Sequence, residues 1–470
     1  MAFLKQFKRY QDNIAFVTEN NEQITYHKLS QNIQEVEKFK IPKNTLVFLF
    51  ASYSYTFNLF YLYFLDNKII PFILNENLDE EKIRDLEAIY KPNYIILSKE
   101  MNLRNYTLSE KFHNYFIYKN SFQKKHTFSN DLALLMSTSG STGDNKFVRL
   151  SKENILSNTN QICKYLQINK KDVAISSLPF SYSYGLSIIN IHLNKGAKII
   201  INKFSIIEKK FWERFQTYKV TSFSGVPYSF EILDKIKFLD KEYKYLKYLT
   251  IAGGGIDTNL LKKFLLYCKK KRKKLINMYG QTEATTRISY LPWHKLEKKI
   301  GSIGIPIPKG KLYLLDSKKK KISKPFRTGE LVFKGKNVML GYASSLKDLK
   351  LSRDNNFELI TGDIGYKDKE NFFYITGRKK RIVKIFGHRL SLDQIQYMLK
   401  KNGYSNACIG KKDKIIIFLE NKFFEDKIKM LVMKYTKINL KNFLVLKKIK
   451  IIPMTSSGKI NYRKLNKNEK

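Results

Sequence analysis

The run Thr138-Ser139-Gly140-Ser141-Thr142-Gly143-Asp144-Asn145-Lys146 is the stretch of this chain best equipped to hold phosphate. Glycines at 140 and 143 let the backbone turn tightly and aim its N–H groups at an anion. The hydroxyls and Lys146 add side-chain donors and a positive charge. The run follows the apolar segment LALLM, so it reads as a buried strand ending in a loop for a nucleoside triphosphate. Its spacing is neither the GxxxxGK(S/T) of a Walker A loop nor the GxGxxG of a dinucleotide site. A Ser/Gly loop with no ligand is the simpler alternative, and six hydroxyl or glycine residues in succession weigh against it.

Further clusters carry chemistry downstream. Asn277-Met278-Tyr279-Gly280-Gln281-Thr282-Glu283 offers a hard carboxylate beside a hydroxyl, and Thr361-Gly362-Asp363 offers a second carboxylate. Gly377-Arg378 leads through Lys384 to Gly387-His388-Arg389-Leu390. Pro453-Met454-Thr455-Ser456-Ser457-Gly458-Lys459-Ile460 places a lysine after a Gly-containing turn. Together with the glycine loop, these segments resemble, in order, the phosphate loop, YGxTE, TGD, GR…K…GxR and PxTxxGK motifs of the adenylate-forming superfamily. That superfamily includes acyl-CoA synthetases, luciferases and the adenylation domains of peptide synthetases. Gly329-Glu330-Leu331 and Gly341-Tyr342 also fit. Five ordered motifs from Thr138 to Lys459 are far more specific than any one of them.

The resemblance implies ATP-dependent activation of a carboxylic acid, with Mg²⁺, to an acyl-adenylate and pyrophosphate. Transfer to a thiol and release of AMP follow. Carried over residue by residue, Thr138, Ser139, Gly140, Ser141, Thr142, Gly143 and Lys146 would hold the β- and γ-phosphates. Glu283 would ligate the metal and Thr282 would contact the α-phosphate. Tyr279 and Gly280 would lie at the adenine, although Tyr279 also reads as a core tyrosine. Gly253 and Gly254, after the strand YLTIA, would admit the base or the acyl group close to the backbone, or simply form a turn. Asp363 would accept from the ribose hydroxyls, with Arg378 beside it. TGD taken alone reads equally well as an ordinary turn. Lys459 would neutralise the charge developing between carboxylate and α-phosphate. Lys380 would be the hinge of a domain rotation that exchanges Lys459 for Lys384, with the Gly387 turn lining the thiol channel.

Two departures from the family pattern bear on substrate. In Leu178-Pro179-Phe180-Ser181-Tyr182-Ser183-Tyr184-Gly185-Leu186 the family often has histidine where Tyr182 stands. Tyrosine can pack on the acyl group but cannot act as a cation. The segment also lacks the aspartate with which amino-acid-activating relatives pair an α-ammonium, which favours a fatty, hydroxy or aryl acid. Asn145 stands where proline is common. The acceptor is coenzyme A or the phosphopantetheine of an acyl carrier protein. The PMTSSGKI ending tilts toward the carrier protein, and no GxDS-like attachment site is appended. The alternatives are an amino-acid-activating enzyme resembling D-alanine:carrier protein ligase, or a non-catalytic basic protein that uses this fold to bind nucleic acid or membrane.

The elements that must position these groups follow a βαβ rhythm. Thr45–Leu65 is uncharged and long enough to suggest a membrane span. Ser52, Ser54, Thr56 and Asn58 interrupt it, so it reads as strand TLVFLF, turn, and helix TFNLFYLYFL, followed by strand IIPFIL. NYIILS and YLTIA are further strands, LSIINIHL with AKIIIN is a helix then a strand, and LLKKFLLYCKKKRKK is an amphipathic helix with a basic face. The expected fold is α/β: a large N-terminal domain (1–378) of parallel sheets with flanking helices, including a β-rich subdomain at about 301–378. A small mobile α+β domain at 379–470 carries Lys459.

Composition sets outer bounds. The 470 residues carry 87 Lys+Arg against 41 Asp+Glu, a formal net charge of +46. The lysine excess is spread along the chain together with abundant Asn, Ile, Phe and Tyr, which reads as compositional bias on a solvated surface rather than a nucleic-acid stripe. Three cysteines far apart exclude a disulfide framework and suit a reducing cytosol. The N-terminus shows no secretory signal pattern, so a cytoplasmic enzyme is expected, with no membrane span and no nucleic-acid partner.

Overall fold

The strand Leu46–Ala51 is buried along its whole length, and its side chains divide between two cores. Val47, Leu49 and Ala51 enter one, and Leu46, Phe48 and Phe50 the other, as the two-residue period of a strand requires. A strand covered on both faces reads as a continuous apolar run, which is why this stretch imitates a membrane span. The helix Tyr55–Asn67 follows, capped by the Ser54 hydroxyl accepting from the Thr56 N–H, and the strand Ile70–Asn75 returns parallel to the first. Among the described residues no helix is long and apolar enough to cross a membrane.

The computed structural model describes residues 6–122, 126–137, 146–353, 355–385, 388–411, 414–420, 423–455 and 459–467. An eight-stranded sheet contains the strands above and a nine-stranded sheet lies across from it. The helices Tyr55–Asn67 and Ser183–Leu193 are buried on nearly every side in the core shared by both sheets. The Tyr61 hydroxyl donates to Asn190 Oδ1 at 3.1 Å and joins the two helices. Further helices cover the outer faces, among them Glu80–Tyr90 on the eight-stranded sheet and Thr258–Lys270 on the nine-stranded one. The result is a layered α/β fold with parallel sheet centres. The sheet edges are antiparallel: Gln23–Thr25, Ser289–Leu291 and Ile305–Pro306 on one sheet, and Tyr106–Phe112 with Tyr115–Asn120 on the other.

Lys311–Leu315, Gly329–Lys334, Glu358–Lys367 and Phe373–Arg378 form a four-stranded antiparallel sheet. Two neighbours in sequence pair elsewhere: Ile305–Pro306 joins the nine-stranded sheet, and Gly341–Ala343 pairs with Phe147–Ser151 in the eight-stranded one. The basic helix ends at Lys270, because Lys274 already begins the strand Lys274–Tyr279. The C-terminal part has its own apolar core, built by the helices Leu392–Lys401 and Glu425–Thr436 against the sheet of Asn406–Lys411, Lys414–Leu419 and Leu444–Lys448. Polar pairs tie it to the rest: Lys400–Glu231 at 2.8 Å and the hydroxyls of Tyr397 and Thr258 at 3.1 Å.

Candidate active site

Three segments leave the carboxyl ends of parallel strands in the nine-stranded sheet and gather at one edge. They are Pro179–Tyr182 after Val173–Ile175, Gly253-Gly254 after Tyr248–Ile251, and Gly280–Glu283 after Lys274–Tyr279. Open α/β sheets bind ligands at this end, where loops diverge and backbone groups are left for a partner. Gly280 is there because nothing larger fits: a Cβ would lie 1.7 Å from the Thr286 carbonyl oxygen. Gly280→Ala is therefore expected to push Thr282 and Glu283 out of place and to cost about 1–3 kcal/mol, read as a lower Tm.

Thr361-Gly362-Asp363 is not a turn. It is a bulge inside the strand Glu358–Lys367, with Gly362 at φ +73° and Thr361 Oγ1 donating to the Leu331 carbonyl at 2.9 Å. The bulge turns Asp363 inward to 2% exposure. Arg378, its cross-strand partner, donates from Nε to Asp363 Oδ1 at 3.0 Å. Oδ2 accepts from Gln281 Nε2 at 2.8 Å and from the Tyr279 hydroxyl. Burial and the Asp363 charge hold the Tyr279 hydroxyl well above its usual pKa, so it stays a donor. Tyr279 thus reaches the TGD carboxylate, which gives it a role in aiming Asp363 that sequence alone did not suggest. Gln281 was also missed: it is the variable position of YGxTE, and only the fold shows that it bridges Asp363 and the Thr361 carbonyl.

Glu283 lies half-buried beyond this group, with Oε1 accepting from the Tyr342 hydroxyl at 2.8 Å. Its second oxygen has no hydrogen bond among the described residues. Thr282 is buried, 3.3 Å from the Ser183 hydroxyl. No cluster of three potential ligands exists among the described residues. Mg²⁺ is commonly held by one or two carboxylates plus substrate phosphates, and Glu283 could supply one of them.

Lys459 arrives from the C-terminal part. The Thr455 N–H donates to the Lys459 carbonyl at 2.7 Å and Met454 bridges Ile460, which fixes the backbone at Lys459. The ammonium sits 5.8 Å from the centre of the Tyr182 ring. Burial and the nearby Arg378 lower its pKa to about 8, while Glu283 and Asp363 oppose the shift. Glycine, lysine and tyrosine meet here: a Cβ on Gly253, at φ +96°, would lie 2.8 Å from the Tyr182 hydroxyl. Gly254 has room for one, with Pro227 at 3.5 Å.

Five of the expected residues therefore converge: Glu283, Asp363, Arg378, Lys459 and Tyr182. Lys146 is exposed at the start of the strand Phe147–Ser151, and Lys380 is exposed in the short turn Lys379–Arg381. Thr138, Ser139, Gly140, Ser141, Thr142, Gly143 and Gly387 lie outside the described residues, as does the side chain of Lys384.

Comparison with known proteins gives this geometry a class. Residues 3–343 match the family model of the AMP-binding enzyme, so the chain belongs to that family of adenylate-forming enzymes. Luciferin 4-monooxygenase of Nipponoluciola cruciata is 32% identical over 275 residues, 57% of this chain and 49% of that protein. Long-chain-fatty-acid–CoA ligase of Bacillus subtilis is 30% identical over 277 residues, 57% of this chain and 48% of that one. The chain spans about half the length of these curated relatives. O-succinylbenzoate CoA synthetase of Bacillus subtilis, solved with its acyl-adenylate intermediate, superposes with a TM-score of 0.78 at 18% identity, covering 99% of this chain and 97% of that one. The same enzyme has been solved with ATP and magnesium ion.

Proposed function

We propose that this chain activates a carboxylic acid with ATP and passes the acyl group to a thiol. The acid's oxygen attacks the α-phosphorus, the bond to pyrophosphate breaks, and an acyl-adenylate forms. The thiol sulfur then attacks the acyl carbon, the bond to AMP breaks, and the thiol proton leaves to solvent. The observation that carries this reading is the meeting of Lys459 with Glu283, Asp363 and Arg378 beside Tyr182. Two anions can react only where charge is screened, and a buried ammonium beside the reacting carboxylate and the α-phosphate can screen it.

In this proposal Asp363, aimed by Tyr279, Gln281 and Arg378, takes the ribose hydroxyls on its remaining acceptor capacity. Glu283 holds Mg²⁺, which supplies charge neutralisation at the phosphates, and Thr282 contacts the α-phosphate. The glycine loop and Lys146 hold the leaving pyrophosphate, with Gly253, Gly254 and Gly280 leaving space for base and acyl group. Tyr182 faces the acyl group. The C-terminal part, from Lys379 on, rotates about Lys380 between half-reactions. The polar pairs Lys400–Glu231 and Tyr397–Thr258 are of the kind that break at little cost, which supports such a motion. Lys384 and Gly387 then serve the thiol step. The acceptor is an acyl carrier protein or coenzyme A. Both are anionic and suit the basic surface, whose attraction added salt weakens.

The pH profile follows from Lys459. Its ammonium is charged below about 8 and lost above it, so adenylation kcat/KM is expected to fall as pH rises through about 8. Bound triphosphate favours the charged form, so the limb in kcat lies at higher pH. The function is tested by measuring thioester formation with each acceptor. Transfer to carrier protein or coenzyme A supports the reading, and hydrolysis of the adenylate with neither as acceptor contradicts it.

A further inference from the structure

Arg287, four residues beyond Glu283, is 3% exposed. Arg378 and Arg381 have carboxylate partners, whereas Arg287 has none among the described residues. The buried Arg149 and Arg214 rest their guanidinium groups on several backbone carbonyls. Arg287 reaches a single backbone carbonyl, that of Thr286 at 3.4 Å, and its Nε has no partner. Its guanidinium lies 3.8 Å from the centre of the Tyr184 ring and within reach of the Tyr165 and Tyr184 hydroxyls.

Those hydroxyls are not counterions. Burial raises the pKa of Tyr165 and Tyr184, and takes that of Tyr182 to about 12, so all three are neutral. Arginine cannot shed its proton to escape burial. A buried cation without a counterion is expensive, and the missing anion must come from outside the described residues or from a ligand. The location points to the ligand: Tyr184 is 6.3 Å from Tyr182, ring to ring, and Tyr182 lies under the Lys459 ammonium. The tyrosine pair thus spans two cations, one for the reacting carboxylate and one beyond it.

We propose that the acid is a dicarboxylic acid, held with its reacting carboxylate at Lys459 and its second carboxylate at Arg287. This rests on the adenylation reading above and narrows its substrate. A site built around a buried polar partner rejects an analogue that lacks it, because the partner is then left unpaired. The test is acid-dependent ATP–pyrophosphate exchange with short-to-medium saturated dicarboxylic acids and their monomethyl esters, which differ in one charge. The ratio of kcat/KM for diacid over ester is the readout, because it does not depend on the amount of folded enzyme. The expected ratio is on the order of tenfold or more in the native protein, near unity in Arg287→Gln, and intermediate in Arg287→Lys. A native ratio at or below unity, or an unchanged ratio in Arg287→Gln, overturns the proposal and leaves adenylation standing. Absence of exchange with every acid overturns both.

Discussion

Lys459→Ala is expected to lower acid-dependent ATP–pyrophosphate exchange by on the order of 10²- to 10³-fold, the range found when one preorganised donor to a developing charge is removed. The same variant, given a preformed acyl-adenylate, is expected to make thioester at a rate close to the native one. The two halves differ because the charge Lys459 screens exists only while carboxylate and α-phosphate approach. Its surroundings favour the large effect: the ammonium has already given up much of its water, so its field is strong. Lys459→Arg retains charge but not shape, and should remove the alkaline limb near pH 8 while restoring only part of the rate. Near-normal exchange in Lys459→Ala would remove this residue from the mechanism.

The second large effect is expected at Asp363. Asp363→Asn leaves the volume in place but removes the charge that Arg378 pairs with and the acceptor shared by Tyr279 and Gln281. Hydrogen bonds to a charged group contribute about 1.5–3 kcal/mol, so KM for ATP should rise about 10- to 100-fold. KM for the acid should change little, because in the proposed function Asp363 takes the ribose while Tyr182 faces the acyl group. A rise in the acid's KM with that for ATP unchanged would place Asp363 in the wrong half of the site.

Much of this was legible in the sequence, and the parts that were not have physical reasons. The strand–helix–strand at Leu46–Asn75 was readable because serines and an asparagine broke a run that length alone assigned to a membrane. The motif residues were readable as a resemblance, since spacing survives where overall identity does not. TGD looked like a turn because sequence shows a glycine but not the strand on either side of it. The fold makes it a bulge that presents Asp363 to its cross-strand neighbour Arg378. Gln281 and Tyr279 depend on a contact between segments more than eighty residues apart, which local pattern cannot carry. Arg287 was hidden among 87 basic residues. Only burial, with neither a carboxylate nor several backbone carbonyls at its guanidinium among the described residues, set it apart. Under the proposal at Arg287, a fatty acid, one of the substrates the segment around Tyr182 allowed, is expected to be a poorer substrate than a diacid.

Acid-dependent exchange of labelled pyrophosphate into ATP by the native protein tests the central claim most directly. Exchange is expected to require Mg²⁺ and an added carboxylic acid and to be strongest with a diacid. Salt-sensitive polynucleotide binding with no exchange on any acid would contradict it.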